Sequence, residues 1–490
     1  MSLLLIYVFL RLQNLLTFPP FIDEMAHIDW ARDLYRLHPF IGASNGKLFG
    51  LWWMALFGLY GNGALFVARA ATILFSVVGA AALYSLGRHF AGMWGGALVV
   101  LFYGLSPYGF FYDRMALIDP YVATWAVLVV WLAVRFVTRK HSPDAVLCGV
   151  ALFMAVLTKA TGIALLVIPL LAYILLMPGA GWGQRFKGVA LSYGVFAATW
   201  LPLYGVLRWR GIDYFATATT VVGASEVIGA EALWRNLGIM WAVDAAYFSL
   251  PFILVGIAVG LLALWWSRRA MLFLLGITLI PLGGLLVFGE KISARYFHFH
   301  VPLLLLAVVA ASGIVISGRR RRVWRGGVVL LTLLWSGLFA LPFQAQYLQN
   351  PSELDLPPLD RLEYIESDAA GFALQDVAEY LASQAEEDSA AVVMGILPNC
   401  AALDYYIRVE SPIQVECPAL RLDGSHQPTV VARIDELVRS GRPLWIVYEH
   451  TPFTSLAGIT ADLEEQVTFT RPGHLSELRV FRVAETGETL

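Results

Sequence analysis

Residues 93–136 read MWGGALVVLFYGLSPYGFFYDRMALIDPYVATWAVLVVWLAVRF. Two apolar runs, at about 93–111 and 118–136, stand nearly back to back, and each approaches the roughly 20 residues that a helix needs to cross a hydrocarbon core. Between them the chain carries Asp113, Arg114 and, at the start of the second run, Asp119. A helix at the surface of a soluble protein is apolar along one stripe; these runs are apolar on every side, so they belong in lipid.

Further runs lie at about 2–17, 63–86, 143–157, 160–177, 188–206, 248–266, 271–288, 297–317 and 326–343. The expectation is a mainly α, polytopic membrane protein of about eleven spans. Composition agrees: 58% of the 490 residues are hydrophobic and 14% charged, against about 25% charged in soluble chains. The first run is read as a span and not as a signal peptide. No basic segment precedes it, and Phe18-Pro19-Pro20-Phe21 follows where a small-residue cleavage site would stand.

Charge is unevenly spread. Residues 350–490 hold 24 of the 36 acidic residues with nine Arg and no Lys, a net charge of −15, whereas residues 1–349 carry +13. No basic patch supports nucleic-acid binding. Loops after alternate spans contain Arg88; Arg135, Arg139 and Lys140; Arg185 and Lys187; Arg268 and Arg269; and Arg319 to Arg322 with Arg325. By the positive-inside rule these are cytoplasmic, which puts the N-terminus inside. Of the acidic residues before position 350, Asp144 then faces the cytoplasm, while Asp23, Glu24, Asp29, Asp33, Asp113, Asp119, Asp213, Glu226, Glu231, Asp244 and Glu290 face outward. Carboxylates at span ends are costly and mark functional sites by default.

An odd span count places residues 350–490 outside as well, after the linker Asn350-Pro351 through Pro357-Pro358. Helix-like stretches at 374–384 and 430–439 alternate with strand-like stretches at 391–396 and 444–448, the pattern of a small extracytoplasmic α/β domain. Cys400 and Cys417 share this domain and could pair in an oxidising compartment; Cys148 falls in a span.

The first outer loop, residues 18–62, contains Asp23-Glu24. Met25, Ile28, Ala31, Leu34 and Tyr35 recur at helical spacing opposite Asp29, Arg32, Asp33 and Arg36, an amphipathic helix along the membrane surface. Local sequence leaves Asp23 as a helix cap or a reactive carboxylate.

The succession Asp23-Glu24, Lys47, Leu51-Trp52-Trp53-Met54-Ala55-Leu56-Phe57-Gly58, Ala68-Arg69, Asp113-Arg114-Met115-Ala116-Leu117-Ile118-Asp119, Leu157-Thr158-Lys159-Ala160-Thr161-Gly162 and Ala294-Arg295-Tyr296-Phe297 resembles the polyprenyl-phosphate-sugar glycosyltransferases. Among these the chain most resembles the glycosyltransferase family 39 group, which includes the protein O-mannosyltransferases and the aminoarabinose transferase of lipid A. Relatives commonly have Lys-Pro-Pro-Leu where this chain has Lys47-Leu48-Phe49-Gly50.

The resemblance implies a GT-C fold and transfer of a sugar from a polyprenyl-phosphate donor to an extracytoplasmic hydroxyl of a protein, lipid or glycan, with inversion. It implies Asp23 as general base, with Glu24 and Asp119 as further catalytic carboxylates. Lys47, Lys159, Arg295 and Tyr296 would hold the lipid phosphate, and Arg69 and Arg114 would be structural. A divalent cation could join Asp23 and Asp119, with His27, His298 and His300 as extra ligands, but is not favoured. The rival class is a lipid or polysaccharide transporter or flippase. Its inverted repeats are not evident, and the ionisable groups gather at span ends rather than mid-span.

Overall fold

The structure is a computed structural model that describes residues 2–216, 230–289, 292–315, 321–384, 391–410, 413–421 and 424–484. It divides into two compact units: Met1–Leu15, His27–Leu59 and Phe66–Gln349 form the first, and Leu16–Ala26, Tyr60–Leu65 and Asn350–Leu490 the second. Glu226, Glu290, Arg319 and Arg320 lie outside the described residues.

The first unit is helical. The 63–86 and 93–111 runs join in one long helix, Ala64–Leu105, bent at Gly92, whose φ of 75° is readily adopted only by glycine. Among the described residues five helices are long and apolar enough to cross a membrane, or six if the sharply bent pair Glu231–Phe248 and Leu250–Trp266 is counted as one span. Shorter apolar helices, Ser2–Leu12, Ser142–Thr158, Ala160–Leu175 and His300–Val315, occupy four more of the runs read as spans. By length and apolarity alone the described helices do not confirm the count of eleven.

A helix the sequence reading left as loop, Ala230–Phe248, precedes the 248–266 run. Its polar residues hid it, and two of them, Asn236 and Asp244, are buried with partners inside the unit. Asn236 is fully buried and donates to the carbonyls of Leu286 and Gly289 at 2.8 and 2.7 Å, closing the open end of the Arg268–Phe288 helix.

Of the carboxylates read as outward-facing, Asp113 and Asp244 are buried against partners within the helical unit. Asp113 accepts from the Tyr7 hydroxyl at 2.7 Å and the Tyr103 hydroxyl at 3.1 Å, and pairs with Arg11 at 3.4 Å, both members of the ion pair being fully buried. Asp244 pairs with His300 Nε2 at 3.2 Å. A buried charge is tolerable only with such partners, and Arg11 inside the first apolar run was their sign. Arg114 donates to the carbonyls of Leu10, Arg11, Gln13 and Asn14 at 2.6–3.1 Å, capping the Ser2–Leu12 helix with a fixed cation at its negative end. Arg69, also buried, donates to Leu15 O at 2.8 Å.

The second unit is built on a five-stranded sheet of order β2-β1-β3-β5-β4, with β1 Val392–Ile396, β2 Gln414–Glu416, β3 Leu444–Glu449, β4 Leu463–Thr470 and β5 Glu477–Val483. The first three strands are parallel and connected through the Cys400–Glu410 and Gln427–Arg439 helices; β5 pairs antiparallel with β3 and β4. Val392, Met394, Ile396, Ile446, Val430, Ile434 and Leu437 form the core between sheet and helix. The expected elements at 374–384, 391–396, 430–439 and 444–448 are present. The reading missed the Cys400–Glu410 helix and strands β2, β4 and β5. Cys400 and Cys417 form a disulfide, and Cys148 is buried.

Candidate active site

In the first unit the chain brings Lys47, Asp119, Lys159, Arg295 and Tyr296 together. Lys159 Nζ stands 2.6 Å from Asp119 Oδ1, their side chains 13% and 10% exposed. The same ammonium lies 4.1 Å from the centre of the Tyr296 ring, whose other neighbour is the Arg295 guanidinium at 5.6 Å. Arg295 and Lys47 both act on the charge of Asp119. This half-buried group thus gathers three cations around one carboxylate. That is the composition of a phosphate site, in which Arg offers a planar fork and Lys a compact charge.

Each member is held by local structure. The Ser142–Thr158 helix stops because Lys159 is extended (φ −153°, ψ 136°) and the chain turns back in a 3₁₀ segment, Ala160–Leu166. Gly162 permits the return: a Cβ there would sit 2.3 Å from Ala155 O. The Lys47 loop is pinned to this turn, Ala160 N donating to Gly46 O at 2.9 Å and Leu48 N to Leu157 O at 3.1 Å. Proline at position 48 could not make the second bond, so Leu48 lets this chain fix the Lys47 loop by a backbone hydrogen bond.

Asp119 opens the Asp119–Arg139 helix, with Ile118 as N-cap and Pro120 in the first turn, a place where the helix dipole favours a carboxylate. Arg295 lies in the short 3₁₀ segment Ala294–Phe297, which the fully buried Tyr108 anchors by a hydrogen bond from its hydroxyl to Ala294 O.

His27 belongs to the same site, a role the sequence reading missed. Its Nδ1 is 2.9 Å from Ala116 O, and a carbonyl only accepts, so Nδ1 carries the proton and Nε2 accepts from Lys47 Nζ at 3.1 Å. The signal was present: His27 follows Asp23 by one helical turn.

Asp23 and Glu24 lie in the second unit, in the first turn of the Ile22–Asp33 helix. Of the apolar positions in the expected amphipathic pattern, Met25, Ile28 and Ala31 are buried, whereas Leu34 and Tyr35 lie beyond the helix and Tyr35 is exposed; Asp29 pairs with Arg32 at 3.1 Å. Glu24 is fully buried, and its Oε2 accepts the Phe21 backbone N–H at 3.0 Å. This is the returning half of a capping box, so the cap expected of Asp23 is made by Glu24. Asp23 is half-buried.

The residues do not fit a divalent cation. Lys159 occupies Asp119, Lys47 takes the lone pair of His27, and His298 and His300 face Asp113 and Asp244 at 3.6 and 3.2 Å. Among the described residues no three His, Cys, Asp or Glu side chains are grouped to hold a metal.

The helical unit and the small sheet unit together have the GT-C type of fold, like ArnT. Residues 45–204 match the family model described as dolichyl-phosphate-mannose-protein mannosyltransferase, a glycosyltransferase-family domain that includes Lys47, Asp119 and Lys159. Among solved structures, ArnT from Cupriavidus metallidurans bound to undecaprenyl phosphate is similar over 99% of this chain and 98% of that one, with 17% identity and a TM-score of 0.62. Its apo state gives the same coverage and identity and a TM-score of 0.59. At this identity the likeness establishes the fold. No characterised protein matches the chain in sequence.

Proposed function

We propose that the protein transfers a sugar from a polyprenyl-phosphate donor to an extracytoplasmic hydroxyl acceptor, with inversion at the anomeric carbon and Asp23 as general base. The observation that carries this reading is the cluster of Lys47, Lys159 and Arg295 around Asp119. The family match and the ArnT-like fold support it, and ArnT itself binds undecaprenyl phosphate.

The acceptor oxygen attacks the anomeric carbon, the bond from that carbon to the phosphate oxygen breaks, and the acceptor proton passes to Asp23. Polyprenyl phosphate leaves with the bonding electron pair. Negative charge grows on the phosphate as the bond breaks, so fixed cations in a partly dry site stabilise the transition state more than the bound donor. Lys159 and Arg295, both beside the Tyr296 ring, would hold the phosphate, with Lys47 contributing the third cation.

Asp119, expected among the catalytic carboxylates, is engaged by Lys159 and is assigned to orienting that ammonium. Glu24 is assigned to shaping the helix turn that presents Asp23. The site and the second unit face the extracytoplasmic side, with the N-terminus in the cytoplasm, as the loop charges indicate.

The test is purified protein in lipid nanodiscs with a synthetic polyprenyl-phosphate sugar and a panel of protein, lipid and glycan acceptors, followed by mass spectrometry. Glycoside and free polyprenyl phosphate should appear in equal amounts. Movement of labelled donor across sealed vesicles with no glycoside formed would instead favour a flippase.

A further inference from the structure

The segment that carries Asp23 is bound into the second unit by side chains that touch no part of the proposed chemistry. Asn399, fully buried just before the Cys400–Glu410 helix, donates through Nδ2 to Pro20 O at 3.1 Å and to Ala369 O at 3.0 Å. Ala369 O also receives the backbone N–H of Ile22, the first residue of the Asp23 helix, at 3.0 Å. Phe18 packs edge-on against Phe372, and Phe21 against Tyr364, with ring centres 5.4 and 4.5 Å apart.

The loop that receives the segment is fixed from behind. Arg471 grips Glu449 with two hydrogen bonds of 2.8 and 2.9 Å, both side chains fully buried. Its remaining nitrogen donates to Ala370 O and Phe372 O at 2.6 and 2.7 Å. Gly371, between them, lies so close to the segment that a Cβ would stand 2.5 Å from Pro20 O. A buried ion pair is weak evidence for stability, but one whose spare donor tethers two loop carbonyls fixes a geometry.

We infer that the second unit is a clamp for the catalytic strap, in which Asn399 and the Arg471–Glu449 pair are positioning residues that set where Asp23 stands. The inference rests on the reading of Asp23 as base. It gives the sheet unit a part in the rate of the chemical step, independent of which acceptor is used. Displacing a base by about 1 Å costs on the order of 100-fold in rate, whereas donor binding depends on cations elsewhere.

Asn399→Ala and Gly371→Ala, made separately in the full chain, test this through kcat and donor KM per folded molecule, with the Cys400–Cys417 disulfide and circular dichroism reporting the integrity of the unit. A 10- to 100-fold lower kcat, with donor KM within twofold and the disulfide intact, is expected for both; Asn399→Gln, which keeps the amide, should recover part of it. Asp23→Asn separates the two claims. If Asp23→Asn abolishes transfer while both clamp variants keep native kcat per folded molecule, the clamp is overturned and the base stands. If Asp23→Asn transfers normally, the base reading fails first. A loss confined to the amount of folded protein overturns the clamp too.

Discussion

Replacing Lys159 by Met separates the two duties that the cationic cluster gives this residue. At 2.6 Å from Asp119, two unit charges attract by roughly 6 kcal/mol at an effective dielectric of ~20, and desolvation of both groups offsets most of that. Lys159→Met alone takes the hydrogen-bonded partner from a carboxylate that is 10% exposed and leaves it the charges of Arg295 and Lys47, so a loss of about 3 kcal/mol, the low end for a broken buried pair, is expected. Adding Asp119→Asn removes the carboxylate charge, and stability should return to within about 1 kcal/mol of native.

Activity should not follow stability. A donor to a charged phosphate is worth about 1.5–3 kcal/mol, roughly 10- to 150-fold in kcat/KM, and the double variant still lacks it. The assay is transfer from a synthetic polyprenyl-phosphate sugar in nanodiscs beside thermal unfolding of the same preparations. Native kcat/KM in the refolded double variant would refute the reasoning, because Lys159 would then serve Asp119 alone.

Gly162→Ala forces a Cβ to within 2.3 Å of Ala155 O and should move Lys159, raising donor KM at least tenfold in the same assay. Arg114→Met leaves four carbonyls at the end of the first helix without their donor and should lower the unfolding temperature sharply, with yield of folded protein as a second readout. Asp368 is held above the usual carboxylate range by burial and by the nearby Glu449. Its folded pKa exceeds the unfolded one, so the ionised form weakens the fold and the penalty disappears as pH falls below the unfolded value. Asp368→Asn should therefore raise the melting temperature at neutral pH and lose that advantage near pH 3, by differential scanning fluorimetry.

Much of this could be read in the chain before any coordinates. Apolar runs of near-span length located most of the helices, because hydropathy reports the backbone's need to satisfy its own hydrogen bonds in lipid. It failed at Ala230–Phe248, where Asn236 and Asp244 interrupt the pattern and are satisfied by partners far along the chain. It failed too at strand β4, whose charged residues face outward on a sheet edge. The cations of the site were legible as charges beside span ends, and Lys47, Lys159 and Arg295 do gather around Asp119. Their company was less so. That Asp113 is buried against Arg11 and that Asn399 reaches Pro20 depend on side chains 102 and 379 positions apart, and local sequence does not say which residues so far apart will meet.

The central claim is that Asp23 takes the acceptor proton. Its most direct test is single-turnover sugar transfer by the Asp23→Asn protein, with donor binding measured in parallel by displacement of a labelled polyprenyl phosphate. The account predicts a rate at least about 100-fold below native with donor affinity unchanged; transfer at the native rate would contradict it.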